Sequence, residues 1–156
     1  MKKLQFKPRK CECCGQSMEY ILGLDKGTAH IVKQFARFIS EKGINIANPN
    51  HELKNTWLTD VEVGNITRAT AHGLLARVDG DTGNYALTNK GQDFLRGSVV
   101  PKYAIMSKVD KRQIGYLEEY TVTVHELDKY WEGINYEIKQ GRVIKNLDGE
   151  NPTIRI

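Results

Sequence analysis

Between residues 59 and 97 the sequence changes its hydrophobic period twice, and this limits the available folds more than any bulk property. Thr59-Asp-Val-Glu62 has the spacing of a capping box, in which the hydroxyl accepts from the amide three residues on and the carboxylate reaches back. Val63, Ile66, Ala69 and Thr70 then continue at helical spacing to His72, and Gly73 offers the left-handed position that ends a helix. Gly64 within this stretch weakens the helix by about 1 kcal/mol relative to alanine. LLARV next reads as a strand, DGDTGN as a turn holding the glycines of a tight hairpin, and YAL as the returning strand. TNKGQDFLR, residues 88–96, reads as a short helix ended by Gly97.

Upstream, Asp25 can cap a helix over 25–42. Ala29, Val32, Phe35, Ala36 and Ile39 fall at helical spacing along it, and Gly43 stops it. Asn48-Pro49 opens a short second helix over 49–56, anchored by Leu53 and Trp57. Helix, helix, helix, hairpin, helix is the order of a winged helix-turn-helix domain, expected here over 25–97. The run HGLLARVDGDTGNYALTNKGQDFLRG also resembles the third-helix exit and wing of MarR-like regulators and related winged-helix proteins. Gly73, Leu74 and Leu75, then Tyr85, Leu87, Thr88, Gly91, Phe94 and Leu95, carry that resemblance. The wider layout, with a Cys-x-x-Cys-Gly knuckle ahead of the first helix, is similar to small winged-helix proteins of bacteriophages and their hosts, a likeness that implies no function. The MarR-like resemblance implies a DNA-binding regulator whose third helix enters the major groove.

Beyond Ser98 the regulator pattern stops, and the long C-terminal helix from which MarR-like dimers build their interface has no counterpart. VVPKYAIMSKV, a hinge near 110–113 and IGYLEEYTVTV predict a β-hairpin. Thr123-Val-His-Glu126 is a second capping box, expected to open a helix running through Tyr130 and Trp131. INYEIKQGRVIKNL reads as a further hairpin turning at Gln140-Gly141. SMEYILGL, residues 17–24, is too short and mixed for assignment. The expectation is an α+β chain in three parts: a basic arm and zinc-knuckle-like segment over 1–24, the winged helix over 25–97, and a hairpin and short-helix appendage over 98–156.

The net charge of +4 becomes informative once divided. Lys2, Lys3, Lys7, Arg9 and Lys10 put +5 in the first ten residues; residues 11–109 balance to +1 and residues 110–156 to −2. The excess is an arm, which can follow a phosphate backbone and gain affinity by counterion release, or simply solubilise the chain. No run approaches the roughly 18 apolar residues of a membrane span, so a cytoplasmic protein with no membrane partner is expected.

If the third helix reads DNA, its outward candidates are Asn65, Thr67, Arg68, Thr70 and His72, with Arg68 foremost because a guanidinium can make two hydrogen bonds to guanine. Arg77 at the wing, and Lys26, Lys33, Arg37 and Lys54 on the first two helices, are candidate phosphate contacts or a solvated face. Asp79 and Asp81 make the wing acidic, which opposes phosphate. A second reading is a protein-interaction module that modulates a host enzyme or transcription machinery through residues 116–132, where Tyr116, Tyr120, Tyr130 and Trp131 lie.

Cys11-x-x-Cys14-Gly15 lets two thiolates share one tetrahedral zinc, with Cys13, His30, His51 or a second subunit completing the set; free thiols are the alternative. Near neighbours such as these do not make comfortable disulfides. The four histidines fall in no metal-protease spacing, and neither a phosphate loop nor a nucleophile elbow occurs, so no catalytic residue is expected.

Overall fold

The structure is a computed structural model that describes residues 6–78, 83–109 and 111–131. It is a mixed α+β fold with two three-stranded antiparallel sheets. In chain order the elements are β1 (Glu19–Gly23), α1 (Lys26–Lys42), β2 (Ile46–Ala47), a π-type helical turn (Pro49–Leu53), α2 (Asp60–Gly64), α3 (Ile66–Ala71), β3 (Leu75–Arg77), β4 (Tyr85–Leu87), α4 (Asn89–Leu95), β5 (Val100–Ser107), β6 (Gln113–Val122) and α5 (Val124–Leu127).

Helix α1 forms where its apolar period requires. Asp25 accepts from the Thr28 amide at 2.8 Å, Gly43 closes the far end at φ 66°, and Val32, Phe35, Ala36 and Ile39 are fully buried. The capping box at Thr59 is present in both directions, Thr59 N–H to Glu62 at 2.8 Å and Glu62 N–H to Thr59 Oγ1 at 3.2 Å. The single helix expected beyond it is instead two. Asn65, at φ −99° and ψ 9°, separates α2 from α3. The break follows Gly64, the residue with least helical preference in the run. The second helix is likewise shorter than expected, closing at Leu53 once Lys54 turns extended.

Strand β2 adds to the β3–β4 hairpin through Ile46 opposite Ala86 and Ala47 opposite Tyr85, giving the order β2-β4-β3. Residues 79–82, where the acidic wing tip was expected, lie outside the described residues. The Leu-Thr-x-x-Gly pattern after the hairpin has a close-packing reason. Thr88 donates to the Gly73 carbonyl at 2.5 Å and accepts from Gly91 N–H at 2.9 Å, which lays α4 across Leu74. A Cβ on Gly91 would stand 2.2 Å from the Leu74 carbonyl oxygen, so only glycine fits. Phe94 and Leu95 then fall into the core beside α1.

The second sheet joins distant parts of the sequence in the order β1-β5-β6, with Glu19 opposite Ser107 and Gly23 opposite Tyr103. Residues 17–24, unassigned from sequence, thus supply an edge strand to the hairpin of residues 100–122. Pro101 is tolerated in the central strand because β1 pairs only from Tyr103 onward, and the register with β6 shifts between Pro101 and Tyr103. Val100, Val122, Val124 and Trp131 enter the same core as α1, while Ala104 and Met106 pack with Ala71 of α3 in a smaller cluster. The second capping box forms, yet α5 stops at Leu127 where Asp128 becomes extended, short of Tyr130 and Trp131. Trp131 is held another way, donating from its indole to the Leu95 carbonyl at 2.6 Å. The hairpin expected over 134–147 lies outside the described residues.

Candidate functional site

Helix α3 is sandwiched unevenly, and this sorts the residues expected to face outward. Thr67 and Arg68 are exposed and Asn65 is half-buried at the α2–α3 joint. Thr70 and His72 do not stand outward as expected: each is only 1% exposed, His72 in the core and Thr70 at the cleft between this helix and the second sheet. Thr70 returns its hydroxyl to the Thr67 carbonyl at 2.7 Å. His72 makes no hydrogen bond of normal geometry from either ring nitrogen among the described residues. Burial pushes its pKa down to about 4, and the nearby Lys90 adds to this against the opposing pull of the Gly23 backbone and Asp25. It is a neutral core residue at physiological pH. Sequence periodicity misplaces it because it treats α3 as having one packed face, and the fold gives it two.

The acids at the start of α2 are engaged. Asp60 lies 2.9 Å from Lys54 Nζ and Glu62 lies 3.2 Å from His30 Nε2. Arg68 stands 3.6 Å from Asp25, the residue that caps α1. The Asp25 carboxyl, which burial would raise, is held below its ordinary value chiefly by the Thr28 N–H, with Arg68 adding to it.

Other expected phosphate contacts are redistributed. Lys33 is 6% exposed, ion-paired with Asp128 and set 5.3 Å from the Trp131 ring, so it belongs to the core. Hydrogen bonding from Lys33 holds the Asp128 carboxyl low. Arg37 lies 4.9 Å from the Trp131 ring centre as well, and Arg77 leans on Tyr85, whose hydroxyl accepts from its Nε at 3.3 Å. Lys26 remains exposed. In the arm, Arg9 is tied to Glu19 at 2.9 Å and lowers the carboxyl of that residue. Of the aromatics between 116 and 132, Trp131 is core, Tyr116 and Tyr120 are half-buried, and Tyr130 is 79% exposed.

The three cysteines lie in one tight loop. Lys10 bridges Ser17 across a loop closed by Cys11 N–H to Gln16 and Gly15 N–H to Cys11, with Gly15 at φ 73°. Hydrogen bonds from the Cys14 and then the Cys13 backbone favour the thiolate of Cys11 and lower its pKa. A structural zinc needs four donors. Among the described residues no three His, Cys, Asp or Glu side chains gather to hold a metal, and His30, expected as a ligand, faces Glu62 instead. Within one chain the described residues do not fit a closed zinc site.

A concave site borders α3. A cleft of about 410 Å³ opens between this helix and the second sheet. Asn65, Thr67 and Arg68 form one wall, Tyr20 and Leu22 of β1 and Met106 of β5 the other, and Lys111, Arg112 and Gln113 close it at the β5–β6 turn. Lys111 takes the left-handed conformation at φ 54°. Among the described residues no acidic side chain lines the cleft. Sequence reading finds Arg68 here but misses Tyr20, Lys111, Arg112 and Gln113, since a turn with two cations carries no signal until a helix is packed opposite it. No helix among the described residues is long and apolar enough to cross a membrane. Comparison of the chain with family models, curated proteins and solved structures gives no match.

Proposed function

We propose that residues 25–97 are a winged helix-turn-helix domain and that the chain binds duplex DNA through α3. The observation that carries this reading is the exposed pair Thr67 and Arg68, with Asn65 beside them, on a helix seated against a β2-β4-β3 sheet. In that order a strand between the first two helices extends the hairpin, which supports the reading. Three cations on one side, Arg68, Lys111 and Arg112, suit a phosphate-rich partner. Asp60 of α2, which would oppose phosphate if bare, lies 2.9 Å from Lys54 Nζ. In this reading Arg68 reads a base edge, while Lys111 and Arg112 meet the flanking backbone.

The test is fluorescence anisotropy of the full chain with duplex DNA at low and physiological salt, alongside a chain lacking residues 1–10 and an Arg68→Ala variant. Affinity that falls steeply with salt, persists in part without the arm and drops by about 1–3 kcal/mol in the variant on a specific site supports the reading. No binding at low salt removes it. Such a result would favour protein docking, for which the exposure of Tyr130 is the supporting observation; a stoichiometric partner lost on Tyr130→Ala would carry that alternative.

A further inference from the structure

Besides the cations assigned to duplex binding, the cleft beside α3 has an apolar floor, an aromatic ring and a buried amide that duplex binding does not use. Its floor is apolar, Tyr20 offers a ring that is 42% exposed, and the rim carries Arg68, Lys111 and Arg112. Buried among them is Gln113, only 4% exposed, whose Oε1 has no hydrogen-bond partner among the described residues. A buried amide oxygen left unmade costs on the order of 1–3 kcal/mol, so a group that donates to it from within the cleft is favoured. The volume of about 410 Å³ lies in the range of small-ligand sites.

We infer that this cleft is a nucleotide site, taking a base against Tyr20 and Met106 with its N–H on Gln113, and a phosphate on Arg68, Lys111 and Arg112. Each part of that ligand answers one part of the cleft. Planar bases stack on aromatic rings with little regard to sequence. A ring N–H or exocyclic amine satisfies the orphan amide. Phosphate takes charge-assisted hydrogen bonds from guanidinium and ammonium groups. An apolar molecule would leave the Gln113 amide unanswered, and a bare anion would leave both the floor and that amide unanswered. The same chemistry arises from a free mononucleotide or from one unit of a single strand. Because Asn65, Thr67 and Arg68 also form the face proposed to meet duplex, an occupied cleft and a bound duplex exclude each other. The nucleotide site itself stands without the duplex reading and is measured with no duplex present.

The experiment is calorimetric titration of the full chain with AMP, GMP, CMP and TMP, with the matching nucleosides, with inorganic phosphate and with a short oligothymidylate. Saturable binding of at least one monophosphate or of the oligonucleotide is expected, with nucleoside and phosphate each weaker by about tenfold or more. Stronger binding of the oligonucleotide assigns the source as single strand, and stronger binding of the monophosphate assigns it as free nucleotide. Lys111→Glu, at an exposed turn where folding is not at risk, weakens either by about tenfold or more. The side-chain amide resonances of Gln113 move on saturation. The inference is overturned if neither nucleotide nor oligonucleotide binds, if phosphate alone binds as well, if Lys111→Glu leaves affinity intact, or if the Gln113 amide does not respond.

Discussion

Lowering the pH from 7 to 5 should destabilise this protein, and His72 should account for most of the loss. Its imidazole is 1% exposed, makes no hydrogen bond of normal geometry among the described residues and is held neutral with a pKa of about 4, chiefly by burial. In the unfolded chain the same group titrates near 6.5. The folded state therefore binds the proton less well, and stability that is complete above about 6.5 drains away as pH falls towards 4. A gap of that size corresponds to about 3 kcal/mol once both states are titrated, of which about 2 kcal/mol is already lost at pH 5. Near-complete burial leaves little solvent screening to discount. The lowered carboxyls of Glu19, Asp25 and Asp128 contribute below the ordinary carboxylate range, so the interval from 7 to 5 isolates the histidine. Urea unfolding followed by tryptophan fluorescence at several pH values measures the slope directly. His72→Leu removes the titration while keeping an apolar side chain in the gap, and its stability should vary by less than about 0.5 kcal/mol over the same interval. An equal pH slope in wild type and variant would refute the assignment, whatever the variant's absolute stability.

Three further outcomes rest on single contacts. Gly91→Ala drives a methyl into the Leu74 carbonyl, 2.2 Å from its Cβ, and should lower stability by about 3 kcal/mol, read as a shift in urea midpoint at constant slope. Trp131→Ala should cost about 3–5 kcal/mol in the same assay, since the ring is buried and covered by Lys33 and Arg37; Trp131→Phe, losing chiefly the bond to Leu95, should cost about 1 kcal/mol. Alkylation of Cys11, followed by peptide mass spectrometry across pH, should show a midpoint below that of the same thiol in urea, because the Cys14 and Cys13 amides favour its thiolate; coincident midpoints would contradict that hydrogen bonding.

Much of the local structure is written in short-range rules. Both capping boxes, the stop at Gly43, the hairpin of 100–122 and the Thr88-to-Gly91 lock follow from residues within a few positions of one another, so the sequence exposes them directly. What it hides is pairing over distance. Residues 17–24 are uninformative alone because their partner is β5, and Lys33 reads as a surface cation because Asp128 and Trp131 are far along the chain. The site suffers the same way. Arg68 and Thr67 are legible from the period of α3, whereas the burial of Thr70 and His72 comes from packing that periodicity cannot foresee. The shortfall of α5 is different in kind. Its capping box is intact, but Asp128 leaves the helix to pair with Lys33, a tertiary contact that overrides a local start signal.

The pairing of β1 with β5 also sets an order of events during synthesis. Gly23 leaves the ribosome before its partner Tyr103 has been made, and at about 5–20 residues per second the delay is on the order of 4–16 s. Through that interval the first strand has no edge to add to, while α1 and the β2-β4-β3 sheet can already consolidate. A strand translated well before its partner is thus among the last to be locked in place, and the cysteine loop that precedes it has no sheet to join until β5 arrives.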